Sequence, residues 1–409
     1  MLNLKTIDFI IEHEKDDTVK LLLAADRYPE VNITYAVKVI EARKKIKIKV
    51  PLWWNNYAIE YPSALALEQC SSQATAEYKK KFIKRDSTVI DITGGMGVDT
   101  FFMSQSAKTI YYFEKNSELC EATKNNFITL NCNNVNIFNT EITGVKEILE
   151  NIPIDLQSAD LIYADPARRG KASQRIYIIS ECEPNIVSIR KDLFSISDNI
   201  LVKVSPMADL SKCISILPET KEIHILSVNN ECKEVLLLLE KKFEGTPKIF
   251  AINITNGKTE ELVFTQEEEE MAVAIFSEGE KKYLLLPNKS ILKSGAFKIV
   301  SERYNITKIA ASTHLYTSNN LVSNFPGKMF LIEDILHFNK ESIHYINKKY
   351  PIANISAMNF PLDTNSLRKR LKIKEGGEKF LFACKMSDEE KVIIVCEQIR
   401  DPSNQNQSI

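Results

Sequence analysis

The chain has 409 residues, of which 44% are hydrophobic and 26% charged, a composition typical of soluble globular proteins rather than disordered or fibrous ones. At roughly 100–200 residues per domain, this length predicts two to four domains. The formal net charge of −1 excludes a global attraction to nucleic acids or anionic membranes, so any nucleic-acid-binding surface must be local.

The eight cysteines and five histidines show no spacing typical of a zinc or iron–sulfur site. Scattered cysteines without an N-terminal signal sequence predict structural thiols in a reducing, cytoplasmic environment. No run of about 18 apolar residues occurs in the sequence, so we expect no membrane-spanning helix. We also expect no metal.

Residues 1–80 are predicted to form an N-terminal helical region. The segment Asp16-Asp17-Thr18 can cap a helix that carries three consecutive leucines, a second helix passes through residues 35–40, and a third covers residues 64–82. Five basic residues followed by Trp53 and Trp54 occupy residues 43–54. This stretch is either a nucleic-acid contact or a set of packing residues.

From residue 88 onward, short β-rich apolar runs alternate with helix-length segments, which predicts a parallel sheet with helical crossovers. The runs cover residues 89–92, 109–113, 135–138, 161–164 and 200–204. Two further runs, 223–228 and 235–239, are separated by too few residues for a crossover helix and should be antiparallel. Five parallel strands before an antiparallel pair is the order of a class I methyltransferase, whereas the sixth strand of a dinucleotide dehydrogenase is usually parallel.

The remaining residues predict small α+β domains. Strands are expected at residues 248–255, 261–264, 272–276 and 283–286, with the acidic run 266–270 as a solvated turn. The last segment is expected to contain a strand, a helix, a glycine turn and two strands, at residues 352–358, 364–371, 375–377, 379–384 and 392–396. We therefore divide the chain into residues 1–80, 81–242, 243–335 and 336–400.

A glycine-rich turn, Thr93-Gly94-Gly95-Met96-Gly97, lies between the first buried strand and an apolar helix. Glycine allows positive φ and lets a ligand approach the backbone, and the following helix N-terminus favours an anion such as an amino-acid carboxylate. Asp91, where the strand ends, suits the ammonium group of a methionine moiety. Asp99 is expected to cap the helix. The alternative is a tight turn without a ligand.

Acidic residues follow the second and third strands. Glu114 lies about 20 positions beyond the glycines, where a carboxylate can accept hydrogen bonds from both ribose hydroxyls. Glu141 stands where class I methyltransferases often contact the adenine amino group, although a solvated loop acid is an open alternative. These residues predict S-adenosyl-L-methionine as the cofactor, bound by Asp91, Thr93, Gly94, Gly95, Gly97, Glu114 and Glu141.

Asp165-Pro166-Ala167-Arg168 follows the fourth strand, at the sheet edge where ligands of open α/β sheets bind. An Asp-Pro pair can offer a carboxylate and a carbonyl oxygen that orient an exocyclic amine for in-line attack. Many amino-methylating enzymes carry an aromatic residue where this chain has Ala167-Arg168. Arg168 and Arg169 can instead stack on a base or hold a phosphate, unless they are simply surface residues.

Asp-Pro-x-Arg also resembles the motif of enzymes that methylate carbon-5 of uridine in RNA. Those enzymes need a cysteine nucleophile after the next strand. Here that strand continues as Leu-Val-Lys-Val-Ser-Pro over residues 201–206, and the next cysteine is Cys213. The sequence therefore disfavours carbon-5 chemistry.

Residues 91–100 and 163–170 resemble the motifs of bacterial class I methyltransferases with a ferredoxin-like middle domain and a THUMP-like C-terminal domain. Residues 68–78, 283–317 and 367–377 extend this resemblance over nearly the whole chain. It implies a Rossmann-like methyltransferase fold, with Gln69, Ser71 and Ser72 either covering the cofactor or lying on a helix surface. A more distant similarity is to RNA cap guanine-N2 methyltransferases, which carry Asp-Pro-Pro-Trp at the acceptor motif.

The C-terminal segment carries a local basic patch. Residues 336–380 contain nine Lys and Arg residues but only four Asp and Glu residues. Five of the basic residues are concentrated on and just after one predicted helix: Arg368, Lys369, Arg370, Lys372 and Lys374. Clustered positive charge can follow a phosphate backbone, although a solvated helix face is an equally good interpretation.

These patterns predict an S-adenosylmethionine-dependent methyltransferase that modifies an exocyclic amine of an RNA base, such as one in tRNA or rRNA. Two other hypotheses remain open. One is an RNA-binding or regulatory protein that keeps the fold without turnover, and the other is a nucleotide-linked oxidoreductase.

Overall fold

The computed structural model describes residues 4–153, 158–168, 178–279, 281–387 and 389–399. Two compact units are formed, one from residues 1–223 and 233–245, the other from residues 224–232 and 246–409. Within the described ranges, no helix is both long and apolar enough to cross a membrane. The four-segment division predicted from the sequence stays a prediction.

The first unit begins with helices whose apolar faces share a core with Met96, Phe101 and Phe127. Their bounds are α1 Leu4–His13, α2 Thr18–Leu23, α3 Ile33–Lys49, α4 Pro51–Trp54, α5 Ala64–Gln69 and α6 Gln73–Lys79. The single helix predicted over residues 64–82 is wrong, because the chain leaves helical geometry at Cys70 and Ser72 caps α6. This break turns residues 69–71 toward a cavity described below.

The sheet of the first unit follows the glycine-turn segment. Its strands and the two-residue strands of a nearby hairpin are β1 Thr88–Asp91, β2 Thr109–Glu114, β3 Val135–Asn139, β4 Leu161–Ala164, β5 Ala167–Arg168, β6 Cys182–Glu183, β7 Asn199–Val204, β8 Thr220–Val228 and β9 Glu231–Glu240. Helices between them are α7 Val98–Ser104, α8 Ser117–Thr129, α9 Val145–Leu149, α10 Ile186–Leu193 and α11 Leu210–Ile216.

The strand order is β3-β2-β1-β4-β7-β9-β8. The first five of these strands are parallel, and β9 is antiparallel to β7. The turn between β8 and β9 is formed by Asn229 and Asn230, both at positive φ, the geometry that favours a tight hairpin. The predicted class I methyltransferase sheet, with its antiparallel end, is confirmed.

The second unit contains a β-hairpin and a seven-stranded sheet. Its elements are β10 Lys248–Thr255, β11 Lys258–Thr265, α12 Gln266–Met271, β12 Tyr283–Pro287, α13 Lys289–Ser294, α14 Ile299–Arg303, β13 Thr307–Ala310, β14 Thr313–Ser318, β15 Gly327–His337, α15 Lys340–Lys349, β16 Asn354–Met358, α16 Thr364–Leu371, β17 Lys379–Lys385 and β18 Lys391–Gln398. The larger sheet has the order β13-β14-β12-β15-β18-β17-β16.

Two expectations for the second unit are wrong. The acidic run at residues 266–270 is not a turn but most of α12, because Thr265 and Glu268 form a capping box at its start. Residues 272–276 do not form a strand, and Phe276 makes only an isolated bridge to Lys308. The acidic run has a structural role, since the Glu269 carboxylate accepts hydrogen bonds from the backbone N–H groups of residues 297–299 at 2.8–3.1 Å.

Replacing Glu269 with Ala is expected to destabilise the protein by about 1–3 kcal/mol, because several backbone donors at the start of α14 lose their acceptor. The matched control is Glu270→Ala, which removes an exposed carboxylate from the same helix and should change stability by no more than about 0.5 kcal/mol. Urea denaturation of both variants checks this. Equal effects of the two substitutions would contradict the capping role of Glu269.

Candidate active site

A cavity of about 1020 Å³ lies beyond the carboxyl ends of the strands in the first unit. This volume is at the upper end of the range for small-molecule sites, about 300–1,000 Å³. Most residues predicted from the sequence line it: Gln69, Ser71, Thr93, Gly94, Gly95, Gly97, Glu114, Glu141, Asp165, Pro166, Ala167 and Arg168. Asp91 and Ser72 are not in the wall.

The glycine turn is required by its own geometry. Gly95 and Gly97 have backbone φ angles of +60° and +75°, and residues other than glycine rarely adopt such positive values. A Cβ on Gly94 would lie 2.0 Å from the ring of Tyr112. The Gly95 backbone faces open space, because a Cβ on this residue would meet only the Thr93 carbonyl oxygen, at 3.7 Å. A ligand can therefore approach the turn at Gly95.

Glu114 lies against this turn. Its Oε2 accepts a hydrogen bond from the Gly95 N–H at 2.9 Å, and its Oε1 accepts one from the Asn116 N–H at 2.8 Å. A carboxylate has about four acceptor positions, so two remain for hydroxyl groups of a ligand. Glu141 is exposed at the cavity rim, where its Oε1 lies 3.1 Å from Lys115 Nζ.

Asp91 lies below the turn and is buried. Its carboxylate accepts hydrogen bonds from the Thr93 N–H at 3.0 Å and the Thr100 hydroxyl at 2.5 Å. Burial raises the pKa of Asp91 to about 7, against the lowering effect of these two hydrogen bonds. Asp91 therefore holds the turn from beneath, and its predicted contact with a methionine ammonium group stays a prediction.

Asp165 joins the turn to the opposite wall of the cavity. Its backbone N–H donates a hydrogen bond to the Thr93 hydroxyl at 2.6 Å, and its Oδ2 lies 2.6 Å from Lys203 Nζ. Arg168 lies in β5, paired with β6 opposite Cys182. Arg169, predicted together with Arg168, lies outside the described residues.

Sequence reasoning missed a cluster of charged side chains behind this wall. Asp99 does not cap α7; its carboxylate instead contacts Lys79 Nζ at 3.0 Å and accepts hydrogen bonds from Ser71 and Tyr163 at 2.8 Å. Lys79 is fully buried and also lies 2.6 Å from Glu234. The available signal was a charge inside an apolar strand, as in Leu-Val-Lys-Val at residues 201–204.

The two basic stretches differ in accessibility. At the N-terminal one, Trp53 is fully buried and packs against Phe101, while Arg43 is buried and paired with Glu14 at 2.8 Å. A packing role therefore replaces a nucleic-acid role for these two side chains.

At the C-terminal basic stretch, Lys369, Arg370, Lys372 and Lys374 are exposed. Arg368 is partly buried and lies 3.2 Å from Glu375. This patch keeps four solvent-accessible cations. In the described ranges, no group of three or more His, Cys, Asp and Glu side chains is arranged to hold a metal ion.

Comparison with known proteins gives two family-model matches and a near full-length structural match. The models describe a ferredoxin-like domain at residues 283–326 and a THUMP domain-like segment at residues 327–398. A "putative methyltransferase" from Porphyromonas gingivalis W83 is 32% identical, with a TM-score of 0.86 over 97% of this chain and 98% of that one. No curated protein matches the chain.

Two further solved structures match only part of the chain. A "putative methyltransferase" from Streptococcus mutans, in complex with SAH, is 18% identical with a TM-score of 0.30, over 41% of this chain and 96% of that one. A "putative rRNA-methylase" from Clostridium thermocellum is 16% identical with a TM-score of 0.31, over 41% and 95% of the two chains.

Asp91→Asn should remove a pH dependence from the stability of the protein. The folded-state pKa of about 7 exceeds the ordinary value of about 3.9, so between these pH values the folded state binds the additional proton. Wild-type stability should therefore fall relative to the variant as pH rises from 4 to 7, on the order of 1 kcal/mol per pH unit. Denaturation of both proteins at pH 4.5, 6 and 7.5 measures this, and a constant difference would contradict it.

Proposed function

This chain belongs to the same family as the Porphyromonas gingivalis protein and has a class I methyltransferase fold, a ferredoxin-like domain and a THUMP-like domain. We propose that it is an S-adenosylmethionine-dependent methyltransferase that acts on an exocyclic amine of an RNA base. The observation that carries this proposal is the hydrogen bond from the Asp165 N–H to the Thr93 hydroxyl. It joins the glycine turn, which would hold the methyl donor, to the motif that would hold the acceptor.

The residues of the cavity fit the proposed cofactor. Gly95 presents backbone without a side chain, and Glu114 has acceptor positions left for the two ribose hydroxyls. Glu141 and Ile142 continue the wall beyond β3, where the adenine ring would lie. Gln69 and Ser71, brought into the wall by the break between α5 and α6, would cover the ligand from the opposite side.

Asp165 would hold the acceptor. Bound S-adenosylmethionine supplies a sulfonium methyl group: the acceptor nitrogen forms a bond to that carbon, while the carbon–sulfur bond breaks and leaves its electron pair on sulfur. The Asp165 carboxylate accepts a hydrogen bond from the amine, orients its lone pair and takes up the proton that the methylated nitrogen releases. Arg168, in the same wall, can stack on the base or bind its phosphate.

The two other hypotheses have less support. In a nucleotide-linked oxidoreductase of the usual doubly wound type the sixth strand would be parallel, whereas β9 is antiparallel to β7. A binding protein without turnover would have no need of the partly exposed Asp165 carboxylate, which is held against Lys203 in the wall of the cavity.

Asp165→Ala is expected to lower methyl transfer by at least about 100-fold, because the acceptor amine loses its orienting group. Cofactor affinity should change by less than about 3-fold, since in this proposal the Asp165 side chain contacts the methyl acceptor and not the methyl donor. The assay follows tritium from labelled S-adenosylmethionine into RNA from a strain lacking this protein, with nucleoside analysis of the product. Glu121→Ala, which removes an exposed carboxylate from α8, is the matched control.

Loss of transfer and cofactor binding together would assign Asp165 to the cofactor pocket or to the fold. Full transfer by the variant would contradict the acceptor role. Absence of labelled RNA with the wild-type protein, together with labelling of a protein or a small molecule, would contradict the RNA substrate.

The exposed cations of the C-terminal patch support RNA as the substrate class. Residues 336–409 include three strands of the seven-stranded sheet, so a truncation there would disrupt the fold, and surface substitutions are the better test. The combined substitution of Lys369, Arg370, Lys372 and Lys374 by Ala should weaken RNA binding and make its salt dependence shallower, by about one slope unit per lost phosphate contact.

The matched control for this patch replaces four exposed lysines of the second unit outside residues 336–380 with Ala: Lys248, Lys282, Lys289 and Lys328. Both variants lose four positive charges, so a general charge effect would lower RNA affinity equally in the two. Filter binding at several salt concentrations separates the outcomes. Equal losses, or no loss from the patch variant, would contradict a role for the patch in binding RNA.

A further inference from the structure

Five charged side chains form a cluster beside Asp165, at the end of the cavity that would hold the methyl acceptor, and extend behind the cavity wall. Lys203 and Lys79 contribute two ammonium groups, and Asp165, Asp99 and Glu234 contribute three carboxylates. They come from α6, the first turn of α7, the segment after β4, and strands β7 and β9. Asp165 is the most exposed of the five, with 35% of its side chain accessible, whereas Lys203 is 13% accessible.

Lys203 is the member of this cluster that contacts Asp165. Its Nζ lies 2.6 Å from Asp165 Oδ2, 3.4 Å from the Ser71 hydroxyl and 4.0 Å from Glu234 Oε2. Burial favours the neutral amine, but the carboxylates of Asp165, Glu234 and Asp99 raise the pKa of Lys203 above its ordinary value. The lysine is therefore a fixed cation beside the carboxylate.

Lys203 is in turn held from behind. Fully buried Lys79 contacts Ser71, Asp99 and Glu234 at 2.6–3.0 Å, so the groups that surround the Lys203 ammonium are themselves anchored. Removing one member of a buried ion cluster is costly because the remaining charges lose their partner. The position of the Lys203 ammonium is thus determined by several elements of the fold rather than by its own flexible side chain.

We propose that Lys203 is a positioning residue for the transfer reaction, which fixes the Asp165 carboxylate so that its other oxygen faces the acceptor amine. The contact uses Oδ2, and the described residues provide no hydrogen-bond partner for Oδ1. A partly exposed aspartate without this contact would sample several rotamers, and a small displacement of an orienting group costs much of its effect on rate. This inference rests on the proposed methyl transfer and names a residue that serves it.

Lys203→Met keeps most of the aliphatic side chain and removes the charge. We expect kcat for methyl transfer to fall by about 10- to 100-fold, while KM for S-adenosylmethionine changes by less than about 3-fold. Lys203→Arg, which restores the cation, should recover part of the lost rate. Lys191→Met, the same substitution at an exposed position of α10, is the matched control and should leave kcat unchanged.

A double-mutant cycle shows whether Lys203 acts through Asp165. If it does, adding Lys203→Met to Asp165→Ala should not lower the residual rate further. If Lys203→Met reduces that residual rate by the same factor as in the wild type, the inference is overturned. A rise in KM for S-adenosylmethionine at unchanged kcat would also overturn it, since it would assign Lys203 to cofactor binding.

The same cycle measured by urea denaturation tests the contact without any turnover, and Lys203→Gln serves where the Met variant does not fold. Non-additive unfolding free energies are expected, and additive ones would overturn the inference. A wild-type protein that transfers no methyl group to any acceptor would instead contradict the proposed function. The two failures are therefore distinguishable.

Discussion

The candidate site depends on the adjacency of β1 and β4 at the centre of the first sheet. The two strands are parallel and in register, with Asp91 opposite Tyr163, so the segments that follow them leave the same edge of the sheet side by side. The glycine turn follows one strand and the Asp165 motif follows the other. The hydrogen bond between the Asp165 N–H and the Thr93 hydroxyl then fixes the two segments to each other. Donor and acceptor could be aligned only if both segments are held in this way.

Buried charge supports this arrangement from below. Lys79, Asp99 and Glu234 are taken out of water, and such clusters are often no more stable than well-packed apolar residues of the same volume. Because Asp99 lines the cavity and the other two lie behind its wall, a functional constraint explains this cluster better than a contribution to stability does. The N-terminal helices take part in this constraint, because Lys79 ends α6 and Ser71 precedes it.

The central fold was predictable because its signals are local. Periodic apolar runs located the parallel strands, the short gap between residues 228 and 235 indicated the antiparallel hairpin, and the glycines marked a turn whose φ angles require them. The residues that line the cavity followed from parallel topology, since it brings the carboxyl ends of strands together. Glu114 and Asp165 were found in this way.

What the sequence did not predict arises from contacts between distant segments. Asp99 looks like a helix cap but pairs with Lys79, which lies 20 positions earlier and becomes its partner only after folding. Lys203 and Asp165 are 38 positions apart. The helix expected over residues 64–82 is interrupted because Ser72 offers the backbone a competing cap, and local propensity does not decide between these outcomes.

The central claim is that the cavity beside the glycine turn binds a methyl donor. Isothermal titration calorimetry with S-adenosylmethionine, S-adenosylhomocysteine and NAD tests it most directly. The account predicts that both methionine-derived ligands bind with one-to-one stoichiometry and that NAD gives no binding heat. Binding of NAD, with neither methionine-derived ligand bound, would contradict it.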